Sequence, residues 1–131
     1  MRFTDFTHHD LLLLLQGLGV SVALFAATTV IGLAIGLSWA MLRYYRTPLL
    51  APMAALLAEL LKNSPVLVQL FLVFFGLPVL LQTDLTPVEA ALITLSGNTA
   101  AFVYVIAVSA IESVGREQLE TARVFGLGRW Q

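Results

Sequence analysis

From Leu11 to Leu42 the chain contains no Asp, Glu, Lys or Arg. Wound as an α-helix at 1.5 Å per residue, this stretch is about 48 Å long, more than the roughly 30 Å hydrocarbon core of a bilayer. A small water-soluble domain could not cover such a segment. Composition agrees, with 59% of the 131 residues hydrophobic and 11% charged, against about 25% charged in soluble domains. The sequence therefore reads as an all-α, helical integral membrane protein with a single domain. The first stretch is a poor cleaved signal peptide. Asp5 and Asp10 accompany Arg2 ahead of it, and it is about twice the usual apolar length.

Three crossings are expected, at about 11–42, 49–82 and 87–111, followed by a charged tail at 116–131. The second apolar stretch, Leu49 to Gln82, is interrupted by Glu59, Lys62, Asn63, Ser64 and Pro65. Proline has no amide hydrogen and pushes its predecessor out of helical geometry. Asn63 and Pro65 thus mark an interfacial or kinked helix followed by a crossing segment. Val66 to Leu81 is slightly short for a span, so part of the piece before Pro65 is expected to contribute. Thr86-Pro87-Val88-Glu89 has the form of a helix start, with a hydroxyl cap, proline at the first position and glutamate at the third. Alternating crossings put Arg43, Arg46, Arg116, Arg123 and Arg129 on one side and Arg2 on the other. By the positive-inside rule the N-terminus is then outside and the tail cytoplasmic.

Several functions are disfavoured by what the chain lacks. Seven Lys/Arg against eight Asp/Glu give a net charge of -1, so no basic surface points to nucleic acid. The absence of cysteine removes disulfides, thiol nucleophiles and thiolate metal sites. His8 and His9 are adjacent, do not share a helix face and have no second ligand cluster, so no metal site is expected. There is no GxxxxGK[ST] loop to cradle nucleotide phosphates and no Ser/His/Asp set for nucleophilic catalysis. The chain is not expected to be an enzyme or to carry a cofactor.

The remaining signals concern packing and polarity inside the membrane. Gly32 and Gly36 form a small-xxx-small pattern that lets helix backbones approach closely, and are assigned to helix packing. The third helix carries Thr94, Ser96, Asn98, Thr99 and Tyr104 in apolar surroundings. Asn98 falls roughly 16 Å past Pro87, near the bilayer centre, where an amide needs a partner. Either an interhelical hydrogen bond or a polar pathway would satisfy it. In the tail, Leu119, Ala122 and Phe125 make a narrow apolar stripe, and Gly126 suits a helix C-cap. The mixed charge of that helix fits a protein partner better than a lipid surface.

Taken in order, these motifs resemble a known family. Lys62-Asn63-Ser64-Pro65-Val66-Leu67-Val68-Gln69-Leu70-Phe71 and Phe75-Gly76-Leu77-Pro78 are similar to the R-N-T-P-L-L-V-Q-L-F and F-G-L-P signatures of polar amino-acid ABC importer permeases, the MetI-like group. Leu15-Gln16-Gly17-Leu18-Gly19-Val20-Ser21 resembles that family's first-helix entry. Ser113 to Leu127 resembles its EAA loop, S-I-P-x-G-Q-x-E-A-A-R-x-L-G-L. The resemblance implies a permease subunit of an ATP-driven importer of polar amino acids in the bacterial inner membrane. Its implied partners are a second permease subunit (the same or different), a cytoplasmic ABC ATPase, a periplasmic or lipid-anchored amino-acid-binding protein, and membrane lipid. Glu120, Thr121, Ala122 and Gly126 fall at the ATPase-coupling positions. Gln69, Ser96, Asn98 and Thr99 are assigned to the translocation pathway.

Four departures accompany the match. Thr121 replaces the middle alanine, and Gly115 stands where proline usually precedes the loop. Val105 and Val108 replace the glutamate and arginine of the family's A-E-I-x-R-G stretch. The family's continuation through I-x-L-P and two further helices is also absent, so the expectation is a C-terminally incomplete permease. The alternative is a small membrane interaction or assembly subunit, or a non-functional permease remnant.

Overall fold

The computed structural model describes residues 8–115, 118, 120, 121 and 124–126, and among them every regular element is helical. Helix α1 spans His8–Tyr44, α2 Leu50–Asn63, α3 Val66–Leu81 and α4 Pro87–Ser113. Helices α1 and α4 are each long and apolar enough to cross a membrane, with mean hydropathies of 2.2 and 1.8. The basic residues Arg2, Arg116, Arg123 and Arg129 used for orientation lie outside the described residues.

Helix α1 runs unbroken because nothing between His8 and Tyr44 removes an amide donor, and its leucines are good helix formers. It stops in a two-bond C-terminal lock. The Thr47 amide donates to the Leu42 carbonyl (3.1 Å) and the Arg46 amide to Arg43 (3.1 Å). Arg46 has φ 50°, the left-handed position that such a cap requires and that glycine usually fills. Pro48 follows and prevents continuation. Leu49 then adopts φ 69°, ψ −49°, and the Leu50 amide donates to the Pro48 carbonyl at 2.8 Å. That is a γ-turn of the strained, positive-φ kind. Two non-glycine residues in one short turn thus hold conformations costing of order 1–3 kcal/mol each.

The α2–α3 stretch breaks at the expected place and bends sharply there. Its two helices meet at Ser64-Pro65 with a bend of 111°, too sharp for α2 simply to lengthen α3 along one axis. Gln82, at φ 52°, closes α3, with its amide on the Pro78 carbonyl. Between them, Leu72–Gly76 forms a π-helical turn, a local widening often found at functional positions. Helix α4 begins with the expected capping box. The Thr86 amide donates to Glu89 Oε2 (2.8 Å) and the Glu89 amide to Thr86 Oγ1 (3.3 Å).

Packing is built from small side chains. Ala51, Ala54 and Ala58 form one buried stripe on α2, and Ala40, Ala58, Ala101 and Tyr104 form the centre where α1, α2 and α4 meet. Among the described residues no large side chain is fully buried. The leucines and phenylalanines instead point outward, as lipid-facing residues do when close backbone approach binds the helices.

Candidate functional site

Three places in the chain carry the residues singled out from sequence: a seam, a corner and a tail. The seam joins α1 to α4. A Cβ built on Gly32 would lie 2.6 Å from Thr99 Cβ and 3.1 Å from the Ser96 carbonyl oxygen. On Gly36 it would lie 2.6 Å from the Ala100 carbonyl oxygen and 2.7 Å from Val103 Cβ. Both glycines therefore touch α4 backbone or Cβ atoms where no other residue fits. These contacts also fix direction. Gly32 faces Ser96 and Thr99, Gly36 faces Ala100 and Val103, and Arg43 pairs with Glu112 at 3.8 Å. Numbers rise together, so α1 and α4 are parallel, and α2–α3 carries the chain back to the starting end.

The corner is polar. In a continuous helix the Leu61 carbonyl would accept from residue 65, which is Pro65 and has no amide hydrogen. Gln69 fills the gap from α3. Its Nε2 donates to the Leu61 carbonyl (2.6 Å), the Ser64 carbonyl (3.0 Å) and Ser64 Oγ (2.8 Å). Asn98 on α4 reaches the same Leu61 carbonyl through Nδ2 at 3.5 Å, the outer limit for a bond. One carbonyl thus gathers donors from two other helices. Ser64 Oγ itself donates back to the Leu60 carbonyl at 2.8 Å, securing the last turn of α2.

Of the residues assigned to a pathway, Gln69 and Asn98 meet at this corner, whereas Thr99 packs on Gly32 in the seam. Ser96 is buried on α4, and its hydroxyl has no protein partner; neither has Gln69 Oε1. Two buried polar atoms without protein partners, a carbonyl acceptor and a hydroxyl, mark polar positions inside an apolar bundle. Asn63 and Pro65 bracket the corner, Asn63 as the last residue of α2. Leu61 carries no mark in the sequence, and Ser64 stands there only as a polar interruption. The available signal was the proline itself, which frees the carbonyl four residues earlier.

In the tail, Gln118, Glu120, Thr121 and Val124 have helical backbone, and the Phe125 amide donates to the Thr121 carbonyl at 3.1 Å. Gly126 takes φ +70°, the left-handed conformation of a C-terminal cap. Val124 and Phe125 are 85% and 76% exposed. Ala122 and Leu119, expected in the coupling contact and the apolar stripe, lie outside the described residues.

Comparison with known proteins follows the same outline. The chain is 35% identical over 117 residues to the "Probable amino-acid ABC transporter permease protein YckA" of Bacillus subtilis (strain 168), covering 89% of this chain and 51% of that protein. It is 28% identical over 114 residues to the arginine transport system permease protein ArtQ of the same organism, covering 87% and 52%. The chain thus spans about half the length of these relatives. A solved structure described as an amino acid ABC transporter with histidines shares the fold, with a TM-score of 0.71 at 23% identity over 90% of this chain and 58% of that one. Residues 12–131 match the family described as binding-protein-dependent transport system inner membrane component. With that match running almost from end to end of three packed apolar helical regions, the chain belongs to this family of transporter membrane components.

Proposed function

We propose that the chain forms part of the permease of an ATP-driven amino-acid importer, and that its tail docks a separate ATPase. The observation that carries this reading is the tail. A helical turn closed by left-handed Gly126 presents Val124 and Phe125 to the outside, at the sequence position of the EAA loop. Apolar side chains so exposed beyond the end of a membrane helix need a partner surface. Coupling demands a small, rigid contact, which gives Ala122 and Gly126 their roles: a small side chain for close seating and a glycine for the exit turn. Glu120 and Thr121 supply polar contacts at the rim. A second permease subunit completes the pathway wall, and an amino-acid-binding protein delivers the substrate.

The parallel run of α1 and α4 supports a three-crossing topology in the inner membrane, with the bent α2–α3 pair as the return leg, about 21 Å and 24 Å in its two arms. The N-terminus lies outside. Cysteine-free sequence makes the test direct. An impermeant maleimide on intact cells should label Thr83→Cys but not Tyr45→Cys; the reverse pattern defeats the assignment of the tail to the cytoplasm.

Coupling is tested in a permease carrying this segment together with its ATPase. Gly126→Val forces a β-branched residue into positive φ, and Ala122→Trp overfills the contact. Each should reduce ATPase co-purification and substrate-stimulated hydrolysis while membrane insertion stays normal. Glu120→Ala should do less, because an exposed charge contact contributes below about 1 kcal/mol. Undiminished ATPase binding in both large variants would leave the tail a surface helix and favour an assembly subunit.

A further inference from the structure

The C-terminal ends of α1 and α4, the strained turn and the first turn of α2 line a half-open cavity of about 800 Å3. Its wall is of two kinds. Ala40, Ala51, Val108 and Ile111 line it with hydrocarbon, whereas Arg43, Arg46 and Glu112 line it with charge. Glu112 engages Arg43 at 3.8 Å, and among the described residues no carboxylate lies within ion-pair distance of Arg46. Among the described residues Arg46 therefore lines the cavity without an ion-pair partner. The cavity sits where two helices long and apolar enough to span a membrane both end.

We infer that this cavity binds the headgroup and glycerol region of an anionic phospholipid from the leaflet in which the C-terminal ends of α1 and α4 lie. The phosphodiester pairs with Arg46, assisted by the outer face of Arg43, and the glycerol and first acyl carbons lie against Val108 and Ile111. Guanidinium suits this task because its fork of donors matches phosphate oxygens. Basic pockets between membrane helices are a known chemical solution for acidic headgroups. A free inorganic phosphate would use only the charged half of the wall and leave the apolar half in contact with water. The backbone strain gains a purpose as well. Left-handed Arg46 and the γ-turn at Leu49 place both residues in the cavity wall.

The test uses the 131-residue chain in nanodiscs of phosphatidylcholine containing a stepped fraction of phosphatidylglycerol, with retained lipid read by native mass spectrometry. The wild type should retain phosphatidylglycerol over phosphatidylcholine. Arg46→Gln should reduce that preference about fivefold, the effect of one juxtamembrane basic residue. Ile111→Trp, which fills the apolar half but keeps both arginines, should reduce the amount of lipid retained and leave the preference for phosphatidylglycerol in place. Inorganic phosphate at tens of millimolar should not displace the lipid. Equal retention of the two lipids by the wild type overturns the proposal. So does full preference in Arg46→Gln together with full retention in Ile111→Trp, or displacement by phosphate alone, which would make the cavity a site for a free anion.

Discussion

The seam and the corner hold the same bundle together by opposite means. At the seam, Gly32 and Gly36 bring α1 against α4 by having no side chain, and the contacts are backbone and methyl surface. At the corner, Gln69 and Asn98 bring α3 and α4 to α2 with amide donors aimed at one carbonyl. Water drives neither arrangement in lipid, so close van der Waals contact does the first and the demand for a hydrogen bond the second. The seam runs along helices with intact backbone bonding and resists added volume. The corner exists because Pro65 broke that bonding, so it resists loss of a donor.

Substitutions can separate these two modes. The largest effect is expected at Gly36, where the obstacle is the Ala100 backbone oxygen and cannot rotate aside. Gly36→Val should lower stability in detergent by about 3 kcal/mol, the upper end of overpacking, with Gly32→Ala milder because part of its obstacle is the Thr99 side chain. Gly17→Ala, which meets nothing within 4 Å, should be neutral or slightly stabilising. Similar losses at Gly17 and Gly36 would show that helix propensity, and not the seam, sets the cost.

Next in size is the corner. Gln69→Leu keeps the volume but leaves the Leu61 and Ser64 carbonyls short of a buried donor, an expected loss of about 1–3 kcal/mol. Faster amide exchange confined to α3 and the last turn of α2 would locate it, whereas uniform exchange along α1 would remove the idea of a local clamp. Asn98→Leu should cost less, about 0.6 kcal/mol, as interhelical hydrogen bonds in membranes average and as its 3.5 Å contact suggests. If Asn98→Leu proved as damaging as Gln69→Leu, Asn98 and not Gln69 would be the main support of the corner.

The two regions also differ in how far sequence exposes them. The spacing of Gly32 and Gly36 marks a close-packed face directly, since only small residues permit it; which helix lies opposite follows from three-dimensional register alone. Likewise Pro65 announces a break, and the capping residues Thr86 and Glu89 announce a start, because both act through local backbone chemistry. The angle of the break is not local. It is set with Gln69 folded back across eight residues to the Leu61 carbonyl, so the sequence marks an interfacial or kinked helix at Pro65 without the size of the 111° bend. Gln69 itself was legible as a polar residue in an apolar run, but a donor serving its own chain and one serving a substrate look alike in sequence. The pairing of Arg43 with Glu112 had no sequence signal, being a product of parallel packing.

That parallel packing also sets the electrostatics of one end of the bundle. Each helix C-terminus carries roughly half a negative elementary charge from its aligned peptide dipoles. In an antiparallel pair the opposite ends would neutralise each other; here α1 and α4 place like ends side by side. Arg43, in the last turn of α1 and next to the end of α4, is attracted by both. Glu112, in the last turns of α4, is repelled by both and held there by Arg43. The two partners of this one ion pair are therefore unequal: neutralising Arg43 leaves three negative centres with only Arg46 beside them, while neutralising Glu112 relieves one.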